Sequence, residues 1–541
     1  MASPAQARPA PDSGPAVPAG AAGDVPVTAE VAFVDEAAAF SPKAISWGTC
    51  TEKAFLRKAH AKCGYLTVPL DYAKPKGTKI KLRVARVKHT ISAKNYKGVM
   101  LTSPTLPGAS GLWLATSTLK GARPAKVAKA YDWVGFDPRG TGGSKPLVAC
   151  GGGGYAVGHN RPDYRMTTTA KENVWLTKAK KYAKTCDRLN GAILDHMKTR
   201  DMVNDLESLR KALGKSKISF YGQGYGSYVG EVYSSLHPTR INRMVLDGPQ
   251  DPARVGYRAM LDQDLTMDAS IKLFFTWMAK YDATYHLGTT EAQVESRYYQ
   301  ELDALDVKAA AGKIGSDELT DVFGAVVYYK GNYPYVAKAF ADWVNDGDSS
   351  QLQDLYDYWF GAGPVADRFI SGYLANMCTD AAWPAAWATW RTDLAAANAV
   401  APFMAYGNAA IYTPCHYWGP KPGKPVTVNG AKVPAALLIA ETRDGINPYA
   451  GALAVRSLFP KSRLLEGVGG TSSENSMTAT SCVENAIANY LWAKTLPKRA
   501  AGVTSDKKCK PYPAPKPLTA AAGSVGTEEV PARISAMGGP A

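Results

Sequence analysis

One stretch in the middle of the chain, ISFYGQGYGSYVGEVYS at 218–234, limits most strongly what these 541 residues can fold into. A β-rich run leads directly into a glycine-rich turn, and a helical segment follows that ends before Pro238. Gly222 and Gly226 flank the centre of the turn, where a Cβ would crowd a strained central residue. A strand, a sharp turn and a helix in this order predict an α/β fold with a tight turn at the edge of its sheet.

The rest of the first half alternates in the same way. The runs GYLTVPLDY, KIKLRVARVKHT, GVMLTSP, DWVGFDPRG and INRMVLDG are rich in β-branched and aromatic residues. Between them, TRDMVNDLESLRKAL at 199–213 has apolar residues at helical spacing and stops at Gly214. Alternating strands and helices predict a parallel sheet covered by helices on both faces.

The pattern changes between about Asp251 and Gly430, where strand signals stop and helical segments dense in Trp, Tyr and Phe take over. It returns at VPAALLIAETRDGINPY. We therefore expect a helical lid at 251–430, inserted into a core formed by 44–250 and 431–513. Part of the lid is expected to line a cavity above the sheet. The Ala/Pro/Gly-rich ends, 1–43 and 514–541, are predicted to be disordered.

The chain has eight cysteines in four sequence-local couples, without a Cys-x-x-Cys pair or a His at metal-ligand spacing. We expect four disulfides and no metal site, and hence an oxidising compartment. Eight cysteines allow 105 pairings, so pairing within each couple is a preference that the sequence cannot prove. The couples are Cys50 and Cys63, Cys150 and Cys186, Cys378 and Cys415, and Cys482 and Cys509. The N-terminal segment lacks the basic and apolar regions of a signal peptide, and we interpret it as the start of a mature secreted protein.

The net charge of +16 comes from Lys and Arg that are scattered along the chain, without a basic block or a nucleic-acid motif. We therefore expect a basic surface on a monomeric secreted protein and no nucleic-acid partner. No run of about 18 apolar residues occurs, so no membrane span is predicted.

Several motifs occur in the order of one peptidase family: VPLDY at 68–72, VGFDPRGTGGS at 134–144, the turn at 222–226, RMVLDG at 243–248 and TRDGINPY at 442–449. From about Trp47 to Cys509 the chain resembles the secreted tripeptidyl aminopeptidases and proline-iminopeptidase-like serine peptidases of actinobacteria. The resemblance implies an α/β-hydrolase fold with a helical cap and no cofactor. It also implies a Ser nucleophile at a turn called the nucleophile elbow, an Asp after a late strand and a His near the C-terminus.

Only part of this machinery has a counterpart here. Asp444 matches the acid, but the nucleophile position is Gly224, which has no side chain. The position of the His best matches Ser473, or Gly470 if the gap is placed differently, and no His follows His416. The order Ser, Asp, His therefore cannot be completed.

The loop expected to stabilise an oxyanion also departs from the family. It resembles GGPGGSG in the family and reads TLPGASG at 105–111 here, with the bulky Leu106 in place of a glycine. The backbone N–H of Tyr225, directly after the elbow centre, is expected to be the remaining donor.

Other polar residues are candidates to replace the missing nucleophile or base. Ser227 is expected to pack inside the helix, and His237 to cap that helix. Glu474, in the loop of the missing His, is a possible substitute acid or base. The Asp137, Arg139 and Ser144 side chains of VGFDPRGTGGS are expected to brace the loop beside the site.

These residues predict a non-hydrolytic pseudo-peptidase that binds a peptide or small apolar ligand under the lid. One alternative is an enzyme with changed chemistry, of cyclase or lyase type, using Asp444 or Glu474 as acid or base. A second alternative is residual peptidase or esterase activity.

Overall fold

A computed structural model describes residues 40–117, 126–151, 155–471 and 480–518 of the chain. Within them, ten strands form one sheet in the order β1-β2-β3-β5-β4-β6-β7-β8-β9-β10. The strands are β1 (Gly48–Thr49), β2 (Lys62–Pro69), β3 (Lys79–Val87), β4 (Gly98–Ser103), β5 (Tyr131–Phe136), β6 (Ile218–Gln223), β7 (Ile241–Asp247), β8 (Leu437–Glu441), β9 (Arg463–Gly467) and β10 (Lys507–Cys509).

The strands from β5 onward in this order run parallel, but the edge formed by β1, β2 and β3 is antiparallel. The prediction of a wholly parallel sheet was therefore wrong at this edge. The reason is the short link between β2 and β3, residues 70–78, which closes a hairpin and leaves no room for a crossover helix. The central strand β4 is buried along nearly its whole length, as expected for a strand covered on both faces.

Helices cover both faces of the sheet and form the lid between β7 and β8. They are α1 (Ala54–Lys58), α2 (Leu114–Ser117), α3 (Lys126–Lys129), α4 (Thr169–Asn190), α5 (Thr199–Ala212), α6 (Tyr225–Leu236), α7 (Tyr257–Lys280), α8 (Asp282–Tyr285), α9 (Glu291–Val307), α10 (Ser316–Tyr328), α11 (Tyr333–Asp346), α12 (Ser350–Phe360), α13 (Pro364–Asp380), α14 (Trp387–Val400), α15 (Ala405–Tyr412), α16 (Tyr449–Leu458) and α17 (Ser481–Ala493). None of these helices is both long and apolar enough to cross a membrane.

The apolar residues sort into cores that follow these layers. On one face of the sheet, α5 and α6 bury side chains such as Leu206 and Val229 against the strands. On the other face, α17 contributes Ile487. The lid has its own aromatic core, in which the Phe323 ring centroid lies 4.5 Å from that of Tyr298. The helical insertion predicted from the aromatic segments is therefore present, although its exact boundaries stay a prediction.

All eight cysteines are paired within their sequence-local couples, Cys50–Cys63, Cys150–Cys186, Cys378–Cys415 and Cys482–Cys509. The preferred pairing is confirmed. Four disulfides are typical of proteins that fold in an oxidising compartment. Most of the two segments predicted to be disordered, 1–43 and 514–541, lies outside the described residues. Of the parts that are described, 40–43 and 514–518, the carbonyl oxygen of Pro515 accepts a hydrogen bond from Trp277 at 3.0 Å.

Candidate functional site

The turn after β6 has the backbone of a nucleophile elbow. Gly224 has φ 51° and ψ −122° and directly precedes α6. A Cβ on Gly222 would overlap the carbonyl oxygen of Gly226, and a Cβ on Gly226 would lie 2.9 Å from the carbonyl oxygens of Ser103 and Pro104. The two outer glycines are therefore required by close backbone packing, as the sequence predicted. At the centre, the strained conformation that normally presents a nucleophile is occupied by a residue without a side chain.

The N–H of Tyr225, expected to be the remaining oxyanion donor, donates to the carbonyl oxygen of Thr105 at 2.9 Å. In this arrangement the N–H is used within the fold and does not serve as an oxyanion donor. The role predicted for Tyr225 would require this bond to open. Its phenolic hydroxyl lies 2.7 Å from Oγ1 of Thr199, and burial raises the pKa of the phenol well above its usual value.

The 105–111 loop is fixed from both sides. A Cβ on Gly108 would overlap the backbone nitrogen of Tyr373 and lie 2.6 Å from the carbonyl oxygen of Phe369, so the loop lies directly against α13. On the core side, Oδ1 of Asp137 accepts hydrogen bonds from Oγ of Ser110 at 2.6 Å and from the N–H of Gly111 at 2.9 Å. The loop is thus held in place by packing and by a buried carboxylate, and the half-buried Leu106 faces the lid.

The other residues of VGFDPRGTGGS have the bracing role expected of them. The hydroxyl of Ser144 donates to the carbonyl oxygen of Asp137 at 2.7 Å and accepts the N–H of Arg83 at 2.9 Å. Arg139 is almost fully buried and forms two 2.8 Å hydrogen bonds to the carboxylate of Asp205. These contacts join the motif to β3 and α5.

Asp444 lies three residues after β8, in the position expected of the triad acid, and is only 3% exposed. Its Oδ1 accepts the N–H groups of Ile446 at 2.8 Å and Asn447 at 3.0 Å. The lid reaches the same loop, since Gln263 donates to the carbonyl oxygen of Ile446 at 2.9 Å and Thr266 to that of Gly445 at 3.0 Å. The acid loop is therefore held between the core and α7.

The loop that should carry the catalytic His is described only in part. Ser473 and Glu474 lie outside the described residues, so their predicted roles stay predictions. Gly470, the alternative position for the His, packs against Glu441, and a Cβ there would overlap the Glu441 carboxyl group. A side chain at position 470 would therefore displace this buried acid.

Glu441 is a residue of the site that sequence reasoning missed. Glu441 is the last residue of β8 and is 9% exposed. Its carboxylate lies close enough to Lys330 of the lid to raise the pKa of that lysine. Burial is the larger effect, and it lowers the pKa of Lys330 overall. The available signal was an acidic residue at the end of the apolar run ALLIAE, where a buried strand is expected to continue with apolar side chains.

The two weaker candidates near the elbow have contacts of their own. The Ser227 hydroxyl is fully buried and lies within hydrogen-bond distance of two carbonyl oxygens, 3.0 Å from that of Gly222 and 2.9 Å from that of Asp247. It therefore packs inside the fold, as expected. His237 follows the last residue of α6, and its ring centroid lies 5.2 Å from that of Tyr233.

A mainly apolar cavity of about 90 Å³, which we call the lid cavity, lies between Leu106 and the lid helices. Its apolar wall is contributed by Leu106, Met267, Phe360, Phe369, Ile370 and Met404. Two polar groups in the wall bear on what it could bind. Asn408 donates to Oδ1 of Asp264 at 2.7 Å, and Asp321 accepts hydrogen bonds from Arg161 at 2.6 Å and Tyr164 at 3.2 Å.

The carboxyl groups of Asp321 and Asp264 are both strongly desolvated. Burial raises the pKa of Asp321 to about 6, although the Arg161 guanidinium opposes the rise. Asp264 is 0% exposed, burial raises its pKa well above the usual range, and its Oδ2 has no hydrogen-bond partner among the described residues. The raised pKa keeps this carboxyl group protonated, which lowers the cost of burying it without a cationic partner.

A mixed sheet, an elbow before α6, an acid after β8 and a helical lid between β7 and β8 together define a lidded α/β hydrolase. A model of the alpha/beta hydrolase fold matches residues 99–470. The chain therefore belongs to the α/β-hydrolase family.

Curated relatives match most of the chain. It is 35% identical over 480 residues to a tripeptidyl aminopeptidase of Streptomyces lividans, covering 87% of this chain and 88% of the relative. It is 26% identical over 464 residues to the serine protease Hip1 of Mycobacterium tuberculosis, covering 82% and 87%. It is 28% identical over 481 residues to a protein named carboxylesterase B from the same species, covering 84% and 88%. The resemblance to tripeptidyl aminopeptidases expected from the motifs is confirmed.

Proposed function

We propose that this protein is a secreted, non-hydrolytic relative of the serine aminopeptidases that binds the apolar part of a peptide or a small apolar ligand in its lid cavity. One observation carries the proposal: the elbow centre is Gly224, so the fold has the turn of a nucleophile without the nucleophile. The relatives bear the names of hydrolases, and the proposal therefore rests on this chain's own residues.

The missing base supports the same proposal. All seven histidines precede residue 417, so none can follow Asp444 in the family's chain order. In subtilisin, loss of either the nucleophile or the base alone costs roughly a millionfold in kcat, about as much as loss of the whole triad. Restoring the nucleophile alone should therefore restore little.

The lid cavity supports the ligand class. Its wall is apolar apart from a few polar groups such as Asn408. A volume of about 90 Å³ is that of a few water molecules, at ~30 Å³ each in the liquid. The cavity is therefore suited to one apolar side chain and not to a whole tripeptide.

Calorimetric titration of the full chain with the tripeptide amide leucyl-leucyl-alaninamide tests the binding step. We expect saturable 1:1 binding that Leu106→Trp, which fills the cavity, weakens at least tenfold. Tyr358→Phe, at an exposed lid position, is the matched control and should bind like the wild type. Absence of binding, or equal binding by Leu106→Trp, would remove the lid cavity from the proposal.

A repair experiment tests the catalytic half of the proposal. Gly224→Ser restores a hydroxyl at the elbow and should remain nearly inactive toward aryl esters, because no base is in place to take its proton. Robust hydrolysis by this single variant would show that another residue serves as the base and would overturn the non-hydrolytic assignment.

A further inference from the structure

A second cavity lies beside α6, where the loop after β2, the start of α5 and two segments of the lid, at Asp380 and at 423–426, meet. Its volume is about 370 Å³, several times that of the lid cavity. Charged side chains of both signs line it, namely Asp71, Asp201, Asp380, Lys198, Arg200 and Lys424. We call it the junction cavity.

One acid of the junction cavity lacks a close cationic partner. The Asp201 side chain is 13% exposed, and its Oδ1 lies 3.9 Å from Nη1 of Arg139 and 4.0 Å from Nδ1 of His196, too far for a hydrogen bond. Arg139 is instead committed to Asp205 through its two short bonds. Burial raises the pKa of Asp201 to about 7, with Arg139 and Lys198 lowering it and Asp205 raising it.

The other buried acid is already used within the fold. Asp380 ends α13, and its two oxygens accept the N–H and the hydroxyl of Thr199, each at 2.7 Å. It caps the start of α5 and closes one wall of the cavity. Asp201 accepts the backbone N–H of Lys198 but has no cation within hydrogen-bond distance, so it is the buried carboxylate best placed to receive a positively charged group.

A hydroxyl group in the wall is also without a partner. Tyr228 of α6 is 2% exposed and lines the cavity, yet its hydroxyl makes no hydrogen bond to any of the described residues. The hydroxyl is not fully enclosed by the protein, so it is open to the cavity that Tyr228 lines. Burial raises the pKa of Tyr228 well above its usual value, so the group stays protonated and can donate.

Cationic groups line the cavity beside its acids. Lys198 and Lys424 carry their charges at the rim, and the N-terminus of the 14-residue α5 adds the positive end of its dipole. The lid segment at Gly423 lies close to Lys198 and Asp380, because a Cβ on Gly423 would lie 3.1 Å from Cδ of Lys198 and 2.9 Å from the carbonyl oxygen of Asp380. The wall of the cavity thus carries charges of both signs.

We propose that the junction cavity binds a small zwitterion, an amino acid or dipeptide. Its ammonium group pairs with Asp201, and its carboxylate pairs with Lys198 and Lys424 and accepts a hydrogen bond from Tyr228. The two signs of charge in the wall match the two charges of such a ligand, whereas a simple anion or a simple amine would leave one of them unmatched. This site is separate from the lid cavity and does not depend on the proposed function.

Calorimetric titration of the full chain at pH 8 with alanyl-alanine tests the proposal. We expect 1:1 binding that weakens at least tenfold when the ligand is N-acetylated, which removes the ammonium, and when it is converted to the amide, which removes the carboxylate. Tyr228→Phe should weaken binding of the dipeptide about three- to tenfold. Asp201→Asn should weaken it at least tenfold, and Tyr358→Phe should have no effect.

The Leu106→Trp variant separates the two cavities. If it binds alanyl-alanine like the wild type while Tyr228→Phe binds it more weakly, the ligand occupies the junction cavity. If Leu106→Trp loses the dipeptide and Tyr228→Phe keeps it, the lid cavity is the site and the junction proposal is wrong. The junction proposal would also be overturned if the N-acetylated dipeptide bound as tightly as alanyl-alanine. It would likewise be overturned if alanyl-alanine did not bind at millimolar concentration.

Discussion

The bracing role of the VGFDPRGTGGS motif can be tested most sharply at Arg139. Its side chain is 1% exposed and forms two 2.8 Å bonds to Asp205, a 2.9 Å bond to the carbonyl oxygen of Leu70 and a 3.1 Å bond to that of His196. Arg139→Met keeps a long apolar side chain but removes every one of these donors. Tyr72 would remain as a hydrogen-bond donor to Asp205, at 2.9 Å.

The expected cost follows from what the substitution leaves behind. Burial already raises the pKa of Asp205, and Arg139 is the main group that opposes this effect. Removing one partner of a buried ion pair typically costs about 3–5 kcal/mol, because the other charge stays uncompensated. We expect the free energy of unfolding of Arg139→Met, measured by urea denaturation at pH 8 with the disulfides intact, to fall by that amount.

The double variant Arg139→Met with Asp205→Asn is the control. It removes the uncompensated charge and should recover about 1–3 kcal/mol of the loss, because a neutral amide is less costly to bury. A loss below 1 kcal/mol in the single variant, or no recovery in the double variant, would refute the reasoning. The motif would then have to be reconsidered as a reacting or binding element.

Three further predictions follow from the fold. Gly222→Ala should prevent stable folding, because its Cβ would overlap backbone in the elbow, whereas Gly48→Ala, where the nearest atom is 4.0 Å away, should fold normally; soluble yield and circular dichroism distinguish them. Asp201→Asn should become more stable relative to the wild type as the pH rises from 4 to 8. The wild-type carboxyl stays protonated in the folded state up to a pKa of about 7 but ionises in the unfolded state above its ordinary pKa of 3.8, so the wild type loses stability over this range. The difference between the two pKa values sets an upper limit of roughly 4 kcal/mol, and urea denaturation at pH 4 and pH 8 measures it. Replacing the Cys378–Cys415 pair by serines should lower the free energy of unfolding by about 2–4 kcal/mol, and a change below 0.5 kcal/mol would contradict this.

Much of the fold could be predicted because it depends on local patterns. The strand, turn and helix around Gly224 lie within 19 residues, and α5 ends at residue 212, two positions before the Gly214 that was predicted to stop it. The antiparallel edge was missed because β2 and β3 carry no sequence signal for direction. Only the length of the link between them distinguishes a hairpin from a crossover.

The site was less predictable because its decisive contacts are long-range. The bond from Tyr225 to Thr105 joins residues 120 positions apart, and no local pattern reports that an N–H is already used. The contact of Gly470 with Glu441 and the unpartnered Oδ2 of Asp264 depend in the same way on how the elements pack. What the sequence could establish was the absence of a side chain at position 224, since glycine leaves no rotamer or contact to resolve.

Hydrolysis by the purified wild-type protein tests the central claim most directly. The assay uses a panel of tripeptidyl and aminoacyl chromogenic amides and simple aryl esters, with Asp444→Ala as the matched variant. Because Gly224 supplies no nucleophile and no His follows Asp444, we predict no turnover by the wild type above that of Asp444→Ala. Clear turnover that is lost in Asp444→Ala would contradict the claim and would reveal a hidden nucleophile or an activated water at this site.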